Sequence, residues 1–274
     1  MTHSAASHIL EVPGASLYYE VRGSGPVLML IGLPADSGAF GAVAPLLADE
    51  YTVVTYDPRG FSRSTISDPE QDATPELIAD DVHRVLAAVT ADPAQVFGSS
   101  GGAVTGLALV TRYPGQVRTL IAHEPPVIAI LPDAAQLTAA MSDVYDTYRR
   151  EGPGPAFAKF MTLAGFAPPT GDPAPEPAGQ QAPSRQDLAN GERMLAHQLR
   201  PTAFYRPDIA GLAAASARVV IGGGQDSAGQ LAHRAAVALA RQLGTPLAEF
   251  PGGHTGFASE PEPFAHALRQ ALVA

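Results

Sequence analysis

Neither cysteine nor tryptophan occurs anywhere in the 274 residues. Without thiols there is no disulfide, no thiolate metal site and no cysteine nucleophile, which leaves serine as the natural covalent catalyst. Charge is sparse as well: 16% of residues are charged and the net charge is -10, so the chain has no basic face for nucleic acid or anionic lipid. No apolar run reaches the roughly 18 residues that span a bilayer. The first eight residues have neither the basic cluster nor the apolar stretch of a secretory leader, so a cytoplasmic location is expected. With 46% hydrophobic residues, the chain is a globular protein able to bury one α/β domain with an insertion, and its expected partner is a small-molecule substrate.

The densest chemical signal is Gly98-Ser99-Ser100-Gly101-Gly102, a Gly-x-Ser-x-Gly pattern between an apolar run at 94–97 and a helical pattern at 103–113. A serine hydroxyl reacts only when it is exposed and a base can reach it. A sharp strand-to-helix turn meets both needs, and glycines two residues to either side permit the close backbone approach such a turn requires. Ser100 is therefore the candidate nucleophile.

Around it the chain alternates. Residues 8–12 and 16–22 read as a hairpin across Pro13-Gly14, and 27–31 and 51–56 as strands buried on both faces. Thr74-Pro75-Glu76 opens a helix, and 117–122 forms another strand. From 127 to 208 only helical patterns occur, broken by prolines, and the stretch 167–184 is too poor in apolar residues to pack and is expected to be mobile. The alternation resumes with a strand at 218–221, a helix at 228–243, a strand at 247–250 and a last helix at 263–273. The expected division is a core of 1–126 and 209–274 with a helical cap at 127–208.

In a parallel sheet the loops at the strand carboxyl ends lie together, and Leu33, Ser100, Asp226 and His254 all fall on such loops. A nucleophilic serine needs a base, and the base needs a carboxylate to fix its tautomer. His254 is the candidate base and Asp226 the candidate acid. Glu124, which follows the strand 117–122, is the rival acid, and His123 beside it reads as structural. Arg59 reads as a loop-fixing partner of Asp57 more readily than as an anion binder. The aromatic residues of the cap, among them Tyr145, Phe160 and Phe166, are candidates for the pocket roof.

The elbow at Ser100, the loop Asp57-Pro58-Arg59-Gly60-Phe61-Ser62-Arg63-Ser64 and Gly252-Gly253-His254 together resemble the α/β-hydrolase fold family over nearly the whole chain. The resemblance implies an eight-stranded mostly parallel sheet flanked by helices, with a helical cap insertion. It implies a triad of Ser100, Asp226 and His254, and an oxyanion hole from the backbone N–H groups of Leu33 and Gly101. The sequence departs from the family pattern at Ile31 and Ser99, where histidines are common. A serine at the nucleophile position differs from the aspartate of the dehalogenase and epoxide hydrolase branches.

The implied activity is hydrolysis of an ester, thioester or lactone of a small apolar molecule through an acyl-enzyme, with no cofactor and no metal. A cyclisation, C–C cleavage or lyase step on the same scaffold is the alternative within enzymes. A small-ligand-binding protein of low turnover is the alternative outside them.

Overall fold

The computed structural model describes residues 4–166 and 183–273. All but the last two residues of the proline-rich stretch 167–184 lie outside the described residues, and so does the mobility expected of them. The strands are β1 (Ala6–Val12), β2 (Ala15–Arg22), β3 (Val27–Ile31), β4 (Thr52–Tyr56), β5 (Thr65–Ile66), β6 (Ala94–Ser99), β7 (Val117–His123), β8 (Arg218–Gly224) and β9 (Ala248–Phe250). Eight of them form the path β1-β2-β4-β3-β6-β7-β8-β9, while the two-residue β5 pairs with β2. Only the pairs made by β2 are antiparallel; from β4 to β9 the sheet is parallel. The expected eight-stranded sheet is present, with β5 as a short addition too brief to carry a periodic signal.

Because successive side chains of a strand point to opposite faces, apolar neighbours in these strands feed two cores. Met29, Ile31, Val54, Val96 and Leu120 face one side, and Leu28, Leu30, Val53, Phe97 and Ile121 the other. The helices α1 (Ala44–Leu47), α2 (Pro75–Val89) and α3 (Gly101–Arg112) follow β3, β5 and β6. Ile78, Val82, Val85 and Leu86 of α2 lie at helical spacing in the first core, together with much of α3. Thr74 caps α2 by accepting a hydrogen bond from the Leu77 N–H (3.3 Å), with Pro75 in the first turn.

Between β7 and β8 the described residues hold helices and no strand: α4 (Ala134–Glu151), α5 (Pro153–Ala164), α6 (Arg185–Arg193), a π-helical turn at Met194–Gln198, α7 (Leu199–Ala203) and α8 (Ile209–Ala214). The chain then forms α9 (Leu231–Leu243) on the first core, and α10 (Gly256–Ser259) and α11 (Pro261–Val273) on the second. Among the described residues no helix is long and apolar enough to cross a membrane.

A polar frame holds the loops at the carboxyl edge of the sheet. Arg59 is buried, and its guanidinium grips the equally buried Asp81 of α2 through two bonds of 2.6 and 2.5 Å. Asp57 pairs instead with Arg63 (2.7 Å) and accepts the Ser37 N–H (3.0 Å). The expected Arg59 to Asp57 pairing is therefore replaced by two separate pairs, because Arg59 turns inward under α2 while Arg63 lies on the outer side of the loop.

Candidate active site

β3 pairs with β4 on one side and β6 on the other, so the chain changes direction across the sheet there, and the loops after β3 and β6 face each other across a crevice. Ser100 sits in that crevice on the turn from β6 to α3, with φ 57° and ψ -123°. This left-handed backbone is strained for a residue with a side chain, and it persists because its surroundings fix it. A Cβ on Gly102 would fall 2.0 Å from the Ile31 carbonyl oxygen, and one on Gly98 2.4 Å from that of Gly102. The Ser100 N–H donates to the His123 carbonyl (2.9 Å), tying the turn to the end of β7.

Leu33 follows β3, and its backbone lies against Gly101: a Cβ on Gly101 would meet the Leu33 carbonyl oxygen at 2.7 Å. Gly101 is the first residue of α3, where the N–H groups have no partner within the helix. His254, on the turn after β9, borders the same cavity as Ser100, Leu33 and Gly101. Among the described residues the Ser100 hydroxyl and the His254 ring make no direct hydrogen bond; they face each other across that shared space.

The carboxylate on His254 belongs to Glu124. Its Oε2 lies 2.6 Å from Nδ1 of the ring. Glu124 is fully buried directly after β7, with φ 50°, a second strained position that turns its side chain away from the strand direction. Its Oε1 accepts the Gly224 N–H (2.8 Å) and the Ser227 hydroxyl. Burial alone would raise its pKa, but the bond to His254, the neighbouring His123 and the Ser227 hydroxyl outweigh that and hold it below the usual glutamate value. An ionised carboxylate can only accept, so the proton sits on Nδ1 and the Nε2 lone pair is the one left for the cavity.

Asp226, the expected acid, makes no bond to His254. It is exposed on the short helical turn Gln225–Ser227 after β8, and its N–H donates to the Gly252 carbonyl (3.0 Å). The reason is local: that turn carries Ser227 inward to Glu124 and leaves the neighbouring Asp226 side chain outward. The last residue of β8 and the turn after it thus contribute an N–H and a hydroxyl that hold the carboxylate, rather than the carboxylate itself.

His123, the last residue of β7, is fully buried among the rings of Phe97, Phe250 and Phe264. Burial drives its pKa down to about 4, so the ring is neutral, and neither ring nitrogen has a partner among the described residues.

Two connected spaces meet at Ser100 and His254. The inner cavity, about 50 Å³, has room for roughly three or four waters or a short acyl chain, and Met141, Phe160, Met194, Leu199 and Leu231 give it apolar walls. The outer cleft, about 620 Å³, adds Phe157, Asp36, Asp187 and Asn190. Of the candidate roof aromatics, Phe157, Phe160 and Phe166 border these spaces, and the Phe166 ring lies 5.1 Å from that of His254. Tyr145 lies under the Arg200 guanidinium instead, and Tyr148, Phe204 and Tyr205 pack against the core.

Two further residues at the inner cavity gave no signal in the sequence. Gln198 and Thr202 are both buried there, one turn apart across the junction between the π-helical turn and α7. A glutamine in a helical pattern reads as solvent-facing until the extra residue of a π turn rotates it inward.

Residues 25–261 match the family described as alpha/beta hydrolase fold. The uncharacterized hydrolase YraK of Bacillus subtilis is 35% identical over 270 residues, covering 96% of this chain and 94% of its own. The zearalenone hydrolase of Bionectria ochroleuca is 34% identical over 134 residues, 47% of this chain and 50% of that protein. Among solved structures, a thermophilic esterase from Thermogutta terrifontis superposes with a TM-score of 0.70 over 98% of both chains at 21% identity, a likeness of fold.

Proposed function

Since this chain belongs to the α/β-hydrolase fold family, we propose that it is a serine hydrolase cleaving an ester, thioester or lactone of a small molecule. In this reading Nε2 of His254 takes the proton from Ser100 Oγ as the oxygen attacks the substrate carbonyl. Glu124 stabilises the imidazolium through Nδ1–H. The oxygen of the tetrahedral intermediate accepts from the N–H groups of Leu33 and Gly101. The intermediate collapses to an acyl-Ser100 ester as His254 returns the proton to the departing alcohol or thiol. A water then attacks the acyl group, His254 again taking and returning one proton, and the free acid leaves.

The observation that carries this reading is the buried Glu124 bonded to His254 at 2.6 Å, in a cavity shared with a serine on a strained elbow. A histidine whose Nδ1 is held by a buried carboxylate, with its other nitrogen facing a serine, is the arrangement a general base requires. The names of two similar proteins, an uncharacterized hydrolase and a zearalenone hydrolase, agree with hydrolysis. The inner cavity takes the acyl chain and the outer cleft the leaving group.

A fluorophosphonate should add covalently to Ser100, and Ser100→Ala should abolish both the adduct and turnover of short-chain aryl esters. Intact mass and a colorimetric assay read the two. A folded protein that turns over esters yet carries no adduct on Ser100 would remove the serine from its role, while tight ligand binding without turnover would favour a binding protein.

A further inference from the structure

The two spaces that meet at the site differ in size and in access. Ser100, His254, Leu33, Phe160, Phe166 and Met194 border both, so the reacting atoms stand at their junction. The inner cavity, about 50 Å³, has no exposed residue in its lining. Among its walls that do not touch the outer cleft are Met141 of α4, Leu199 of α7 and Leu231 of α9, all buried members of the first core. The outer cleft, about 620 Å³, carries the exposed residues Gly38, Phe157, Asp187 and Thr255 at its rim and is walled by Phe160, Met161, Phe166 and Phe257 within.

The order of bond breaking decides which part of a substrate takes which space. In an acyl-enzyme mechanism the leaving group departs while the acyl group is still bonded to Ser100. A leaving group seated in the inner cavity would have its way out blocked by that acyl group, whereas one in the outer cleft passes to solvent and water enters by the same route. Resting on the serine hydrolase reading, we propose that the substrate is an ester of a short acyl chain, acetyl to butanoyl, with a large apolar alcohol, and that Met141, Leu199 and Leu231 set the acyl limit. Room for three or four waters holds a chain of about four carbons, since a methylene takes about the space of one water. The limit is a fixed one, because the walls that impose it are core side chains at close-packed density.

Two isomers with the ester reversed test this: 2-naphthylmethyl acetate, whose large group leaves, and methyl 2-naphthylacetate, whose large group is the acyl chain. Both release simple alcohols, and dividing each rate by that with hydroxide removes the remaining difference in reactivity. The wild type should favour the first by about thirtyfold or more in kcat/KM. Among 2-naphthylmethyl esters, the butanoate should exceed the hexanoate by about tenfold or more. Leu231→Ala, which takes three carbons from the wall, should bring this second ratio to about two or below, and Met141→Ala should lower it in the same direction. Reading a ratio within each variant removes any common loss from altered folding.

Preference for the reversed ester, equal turnover of the two isomers, a hexanoate that matches the butanoate in the wild type, or a length ratio that neither variant moves would each overturn the inference and leave the hydrolase reading standing. Should neither isomer be turned over, labelling by a fluorophosphonate separates the two: an adduct on Ser100 would overturn this inference alone, and no adduct would overturn both.

Discussion

The carboxyl ends of β7 and β8 lie side by side, each offers an acid, and they treat it in opposite ways. At β7, Glu124 is fully buried, on a strained backbone, with both oxygens bonded. At β8, Asp226 stands exposed on a turn whose inward residue is Ser227. A carboxylate is useful to a histidine when it is dry, ionised and immobile, and the neighbouring strand and the turn after it achieve this for Glu124 by lending an N–H and a hydroxyl. Proximity to the site is common to both acids; burial with satisfied oxygens belongs to one.

Steady-state kinetics on the two amides is the sharpest way to break this comparison. Glu124→Gln should lower kcat by about a thousandfold to ten-thousandfold, since the imidazolium loses its counter-charge and the ring its tautomer. Asp226→Asn should change it by less than about threefold, in keeping with an exposed side chain away from such features. The reverse order, with both proteins folded, would return the acid to β8.

The histidine beside Glu124 extends the contrast to stability. His123 has a folded-state pKa of about 4 against an ordinary 6.5, so between these values the unfolded chain binds the extra proton and stability rises with pH. Its contribution is present above about pH 6.5 and is lost as pH falls toward 4; the shift corresponds to about 3 kcal/mol. Glu124 and the more distant His254 and His233 bear on the ring electrostatically, and the lowered pKa of Glu124 places its own loss of stability below pH 4.5. His123→Phe, an aromatic among aromatics, should flatten the stability curve between pH 6.5 and 4 in urea titrations at a series of pH values. An unchanged acid slope would show that the ring is not held neutral.

An effect between those of the two amides is expected on the turn after β8. Ser227→Ala removes one of the two groups bonded to Glu124 Oε1, and kcat should fall by about tenfold. Because that bond lowers the Glu124 pKa, the acid limb of the kcat profile should move to higher pH. A drop in kcat with no movement of the limb would make Ser227 a packing residue.

The sheet and the elbow were legible because their causes are local: a two-residue alternation of apolar faces, and glycines where any Cβ would strike the Ile31 or Gly102 carbonyl. The choice between Glu124 and Asp226 was not, since both follow strands of the same sheet and which side chain turns inward depends on a backbone angle and on a serine 103 residues from Glu124. The partner of Arg59 was hidden for a similar reason. Asp57 is adjacent in sequence, whereas Asp81 comes within reach only once α2 packs over the loop. Gln198 was illegible because its inward orientation arises from a π turn that no periodic template contains.

With the carboxylate on β7, the helical insertion between β7 and β8 interrupts nothing that must stay in register. Leu33, Ser100, Gly101 and Glu124 precede it, and only His254 follows, carried in when β8 pairs alongside β7 from Thr119↔Arg218 to His123↔Gly222. Closing a long loop grows more difficult only slowly with length, by about 0.6 kcal/mol for each doubling. Chain closure therefore constrains the length of the insertion only loosely, while Leu137, Met141, Val144 and Leu199 of it pack into the first core and must be replaced in kind. If the proposed function holds, such a chain acquires a new substrate range by rewriting the cavity-facing part of its middle, leaving Ser100, Glu124 and His254 where they are.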